Sequence, residues 1–113
     1  MTSDSDRLED ILEAIEQIEK YAVKGRKVFD SEELVQTWII HHIQIIGEAT
    51  RRLSEQTQSR YPDIPWSAII GMRHILVHNY FGVDLEEVWS TVEKDIPNLK
   101  AKIKVILKNL KRG

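Results

Sequence analysis

Residues 65–84 read PWSAIIGMRHILVHNYFGVD, and the apolar positions of this stretch decide the fold class. Trp66, Ile69, Ile70, Met72, Ile75, Leu76 and Val77 surround nearly the whole circumference of a helical wheel. A helix that is apolar all round belongs at the centre of a helical assembly rather than on its surface. Pro65 suits the first turn of such a helix, where a missing N–H costs nothing. Gly82 ends the following turn. Asp84 with Glu87, flanked by Val83 and Val88, has the cap-and-staple signature that starts another helix.

Working outward, Leu8, Ile11, Leu12, Ile15, Ile18 and Ala22 form one stripe at 3.6-residue spacing, predicting a helix over about 5–23 with Gly25 as its stop. Asp30 with Glu33 resembles a capping box, and Phe29 with Leu34 its hydrophobic staple, which predicts a second helix running to about Gln58. Its apolar positions, from Leu34 through Trp38 and Ile46 to Leu53, cover half its circumference, and Ile40 and Gly47 sit off that face. A stripe so wide predicts a second buried contact, such as a subunit interface. Gly47 inside a helix costs about 1 kcal/mol against Ala, which predicts close backbone approach there. Pro97 restarts or kinks the chain into a last amphipathic helix carrying Leu99, Ile103, Ile106, Leu107 and Leu110. The expectation is an all-α antiparallel bundle of four to five helices, dimeric, with residues 1–113 as a single domain.

Composition narrows the chemistry. The 113 residues contain no cysteine, which excludes a disulfide scaffold, a thiolate zinc site and a cysteine nucleophile. No apolar run approaches the ~18–20 residues of a membrane span, so a soluble cytoplasmic protein is expected. The net charge of −2 hides a dipolar chain. Residues 1–20 hold seven acids against Arg7 and Lys20, whereas residues 98–113 hold six bases and no acid. That basic end, from Lys100 to Arg112, can meet phosphates or serve as a solvated helix face.

Polar residues inside the apolar helix are the informative conflict. His74, His78 and Gly71 share one narrow strip of the wheel, and Arg73 lies about 140° from His78 among apolar neighbours. An arginine there either reaches water along its stem, pairs with a carboxylate such as Glu48, or serves chemistry. Arginine's planar fork holds two phosphate oxygens and neutralises charge developing at phosphorus. Histidine near neutral pH takes a proton from a ribose 2′-hydroxyl or gives one to a leaving 5′-oxygen. With Asn79 and Tyr80 these residues form a candidate cluster for RNA cleavage without metal or other cofactor. One histidine does not comfortably serve as both acid and base, so a symmetric dimer that brings two such helix ends together suits the chemistry better. His74 and His78 have zinc-chelating i, i+4 spacing, but the glutamate of H-E-x-x-H and a third ligand are lacking. His42 falls inside the apolar face of the second helix and reads as a satisfied core histidine.

The stretch from Gly71 to Asp84 resembles the HepT-type branch of the HEPN superfamily, whose Arg-x4-His-x-Tyr pattern is met by Arg73, His78 and Tyr80. Ile46-Gly47-Glu48-Ala49, Tyr61-Pro62-Asp63-Ile64-Pro65-Trp66, Val88-Trp89 and Asp95-Ile96-Pro97 support it, so the resemblance covers nearly the whole chain. His74 departs from it, since relatives often carry Asn or Asp after the arginine. The resemblance implies an all-helical dimeric endoribonuclease toxin, with Arg73 and His78 as a composite catalytic site and His74 and Asn79 as supporting polar groups. It implies as partner a minimal nucleotidyltransferase antitoxin of the MntA type, which neutralises the toxin by attaching AMP to Tyr80 and can join it in a larger complex. The competing expectation is a non-catalytic helical module that binds substrate or scaffolds a nucleotidyltransferase; an intact Arg-x4-His pair argues against it.

Overall fold

The first stripe folds as expected. In the computed structural model, which describes residues 3–71 and 84–112, helix α1 (Asp4–Ala22) buries Leu8, Ile11, Ile15 and Ile18 completely. Ser3 caps it reciprocally: its Oγ accepts from the Asp6 amide at 3.2 Å, and the Asp6 carboxylate accepts from the Ser3 amide at 3.3 Å. Two of the four orphan donors at the helix start are thus satisfied by side chains. Gly25 ends the turn after α1 with φ +93°, a backbone state that glycine enters without strain.

The expected second helix is two, α3 (Glu33–Arg51) and α4 (Glu55–Arg60), and a short helix α2 (Arg26–Ser31) that the sequence reading did not include precedes them. Asp30 is not a cap. Its carboxylate is taken by Arg26 one turn earlier, at 3.3 Å from Nε, and Glu32 precedes α3 in an extended conformation without a side-chain cap. Gln36 instead donates to the Phe29 and Asp30 carbonyls at 2.9 and 3.2 Å, serving orphan acceptors at the end of α2. Phe29 is a core residue rather than a staple: it is 1% exposed and meets the Trp89 ring at 5.2 Å. Leu34, its expected partner, is 83% exposed. After Arg51 the helix stops because Ser54 caps α4, its hydroxyl accepting from the Thr57 amide at 3.2 Å.

Helix α5 comprises the helical residues 66–71, as far as the description extends. Pro65 sits just before it, and its carbonyl accepts from the Ile69 amide. Trp66 is buried with its indole N–H shared between the Gln58 and Tyr61 carbonyls, both at 3.0 Å. Helix α6 (Leu85–Ser90) is capped by Asp84 as read, its carboxylate accepting from the amides of Glu86 and Glu87, while Val83 of the expected staple lies outside the described residues. It runs through a π-helical turn, Thr91–Asp95, into α7 (Ile96–Arg112) without a break. Pro97 explains the wide turn: its ring would clash with the carbonyl four residues back, and one extra residue per turn relieves this.

Three long stretches hold the core. Asp4 at the start of α1 meets Ser54 beyond the end of α3, and Tyr21 near the end of α1 meets Trp38 early in α3, so the two run antiparallel. Lys100 near the start of α7 reaches Glu19 near the end of α1, so that pair is antiparallel too. Among the described residues there is no strand, and no helix is long and apolar enough to cross a membrane. Gly47 is buried in α3, and Ile40 is half-buried against the core.

Candidate functional site

The residues expected to carry the chemistry, Arg73, His74, His78, Asn79 and Tyr80, lie outside the described residues. The structure describes the two points at which the chain leaves and returns, and both are anchored. On the approach, Ile64, Trp66 and Ile69 are buried, and the doubly bonded Trp66 indole ties α5 to the end of α4. On the return, Asp84 caps α6, and Arg26 clasps both Asp30 and Glu86, joining α2 to the first turn of α6. The hydrogen bond to Glu86, followed by the contacts with Asp30, raises the Arg26 pKa against an opposing desolvation.

Glu48, the carboxylate named as a partner for Arg73, is described, whereas Arg73 lies outside the described residues. Glu48 accepts from Arg51 Nη2 at 2.8 Å and stands 3.4 Å from Arg52 Nε. Glu48 and Arg52 line a groove of 330 Å³ between α1 and α3, together with Arg7, Asp10 and His42. His42 is only 9% exposed, and its Nδ1 is 2.7 Å from the Trp38 carbonyl. A carbonyl only accepts, so Nδ1 carries the proton and the ring is fixed. His42 is therefore the satisfied core histidine expected from the sequence. Among the described residues no three His, Asp or Glu side chains converge as a metal site requires.

Charge at the basic end is partly used within the fold. Lys100 donates to Glu19 at 2.7 Å, a hydrogen bond that raises the lysine pKa despite desolvation. Lys102 reaches both the Asp63 carboxylate and its carbonyl, at 3.4 and 3.3 Å. Lys104 and Lys108 stay exposed on α7.

A second groove, of 840 Å³, went unread in the sequence. It opens where the end of α1 faces the start of α3, and Tyr21, Lys24, Trp38 and His41 line it. Tyr21 and Trp38 pack edge to face at 5.4 Å, and Trp38 and His42 stand 4.5 Å apart. The available signal was spacing: Tyr21 with Lys24, and Trp38 with His41, are i, i+3 pairs on facing helix ends. Counting Trp38 only as an apolar core position hid it.

Comparison with known proteins gives one consistent answer. The family model described as "Ribonuclease HepT-like" matches residues 11–106. A Thermococcus cleftensis protein named "Probable ribonuclease HepT" is 40% identical over 110 residues, covering 94% of this chain and 97% of that protein. A Methanocaldococcus jannaschii protein named "Gamma-glutamylcyclotransferase and putative RNase" is 42% identical over 107 residues. That match takes in 94% of this chain but 48% of the relative, so the chain spans about half the length of that protein. No solved structure matches.

Proposed function

Because the chain belongs to the HepT-like ribonuclease family, we propose that it is a metal-independent endoribonuclease and the toxin of a toxin–antitoxin pair, with Arg73 and His78 as its catalytic groups. The observation that carries this reading is the intact Arg73-x4-His78-x-Tyr80 pattern inside the matched span of residues 11–106.

In the proposed reaction a ribose 2′-oxygen attacks the adjacent phosphorus. One His78 imidazole takes the 2′-hydroxyl proton, and an imidazolium gives a proton to the departing 5′-oxygen. The P–O5′ bond breaks as the 2′-O–P bond forms, leaving a 2′,3′-cyclic phosphate and a free 5′-hydroxyl. Arg73 holds the non-bridging oxygens and stabilises the charge that grows on them. Two copies of the chain supply both histidines in one cleft, a composite site in a homodimer. His74 and Asn79 are the polar groups available to orient substrate beside it.

Tyr80 follows the histidine by two residues. A minimal nucleotidyltransferase antitoxin would transfer AMP from ATP to its hydroxyl, releasing pyrophosphate. The new anion would compete for Arg73 and fill the cleft, silencing cleavage. RNA and ATP as substrates fit a cytoplasmic role for residues 1–113 acting as one helical domain. The test is cleavage of single-stranded RNA by purified protein in the presence of a chelator, followed by analysis of the new ends. A 2′,3′-cyclic phosphate is expected. A bound but uncut RNA would assign the chain a binding role instead.

A further inference from the structure

We infer that the groove between the end of α1 and the start of α3 is a base-stacking subsite for single-stranded RNA; this rests on the ribonuclease reading above. Single-strand binders pair aromatic side chains, on which bases stack, with cations that track the phosphates. The groove has both. Tyr21, Trp38 and His41 line it, and Lys24 places its ammonium 5.2 Å from the centroid of the Tyr21 ring. Lys20 and Lys27 are exposed on the same stretch of chain.

The rings are held before any ligand arrives. Trp38 donates its indole N–H to the Gln17 carbonyl at 2.9 Å, and its ring centroid stands 5.4 Å from that of Tyr21 and 4.5 Å from that of His42. His42 is itself bonded to the Trp38 carbonyl. A platform fixed in this way loses little side-chain freedom on binding, which favours affinity. Trp38 is nonetheless only half-buried, and Leu34 at the rim is 83% exposed. Aliphatic surface of that kind packs well against base and sugar faces.

Glu32 is the carboxylate that lines the groove. It would repel phosphate and accept from base amino groups, so it places the backbone on the Lys24 side and the bases towards α3. Volume, rings and charge distribution therefore point to one or two stacked nucleotides lying across the helix ends, on residues other than those proposed for cleavage.

Intrinsic fluorescence tests this directly. Trp66 and Trp89 are 7% and 8% exposed, so Trp38 is the tryptophan a ligand in the groove reaches. A labelled 2′-O-methyl oligouridylate lacks the free 2′-hydroxyl and cannot be cut by the proposed chemistry. Titrated into the full chain, it should quench tryptophan emission in step with the rise in its own anisotropy. Trp38→Leu should abolish the quench and weaken binding about tenfold. Lys24→Gln should lower the salt slope of binding by about 0.7. The exposed His41→Ala variant should weaken binding without touching the core, which covers the case of a poorly folded Trp38→Leu.

Anisotropy that rises with constant tryptophan emission, and with unchanged affinity in Trp38→Leu and His41→Ala, would overturn the subsite while leaving ribonuclease activity standing. A changed sedimentation coefficient in these variants at unchanged oligonucleotide affinity would likewise overturn it and assign the face to a protein partner. Cleavage of unmodified RNA, measured separately, reports on the ribonuclease reading alone.

Discussion

Asp4 and Ser54, fifty positions apart, are joined twice: the Asp4 carboxylate accepts from the Ser54 amide at 3.0 Å and from its hydroxyl at 2.6 Å. Thr57 Oγ1 donates to the same carboxylate at 2.6 Å. Ser54 at the same time caps α4. One acid at the start of α1 thus stabilises the cap that ends the α3 run and begins α4.

Desolvation alone would raise the Asp4 pKa, but the hydrogen bonds from Ser54 and Thr57 outweigh it and leave the pKa lowered. A group with a lowered native pKa stabilises the fold above its unfolded value, about 3.9, and loses that contribution as pH falls through the native value. Asp4→Asn should cost about 1 kcal/mol at pH 7, a figure kept small by solvent screening. Its stability should then vary less than the wild type's as pH drops below about 4. Denaturant melts at pH 7 and pH 3 check both parts; equal pH dependence in the two proteins would contradict them.

Phe29 and Leu34 were paired by their sequence pattern and are separated by the structure. Phe29→Ala opens a cavity where α2 meets Trp89 of α6 and should cost about 3–5 kcal/mol in denaturant unfolding. Leu34→Ser should stay within about 0.5 kcal/mol of wild type, because its side chain is exposed. A loss above about 1 kcal/mol in Leu34→Ser would show that this face is covered in solution.

The lysines of α7 should divide into two classes. Lys100 and Lys102 are engaged by Glu19 and Asp63, whereas Lys104 and Lys108 are exposed. Replacing Lys104 and Lys108 by Gln should reduce the salt slope of RNA binding by about 0.7 for each phosphate that a lysine had neutralised. The same change at Lys100 and Lys102 should leave that slope unaltered. Filter binding across a salt series measures it, and equal slopes for all variants would make the whole tail a solvated face.

Tyr80 carries the regulatory prediction. Incubation with the cognate nucleotidyltransferase, ATP and magnesium should add AMP to Tyr80 and stop cleavage, and Tyr80→Phe should escape the silencing. Peptide mass spectrometry locates the adduct. Inhibition with no adduct on Tyr80 would move neutralisation to binding or to another residue.

What was legible in the sequence follows the range of the forces involved. The stripe of α1 and the Asp84 cap rest on interactions within a few residues, and both appear as read. The run from Asp30 to Gln58 did not, because its apolar spacing continues across two breaks that other partners impose. Arg26 takes Asp30, and Asp4 takes Ser54 from the far end of the chain. Pro97 signalled a disturbance whose form, a π turn rather than a restart, depends on the helix being packed on both sides of it. The Arg73 and His78 reading drew on residue chemistry together with the family resemblance, and both residues lie outside the described residues. The Tyr21–Trp38 groove was not legible, since it needs two helix ends brought together.

The central claim is tested most directly by the rate at which purified protein cuts single-stranded RNA in a chelator, wild type against His78→Ala. The wild type should cut and leave 2′,3′-cyclic phosphate ends. His78→Ala should be slower by about 10²–10⁴-fold at unchanged helicity. His78→Ala cutting at the wild-type rate would contradict the account.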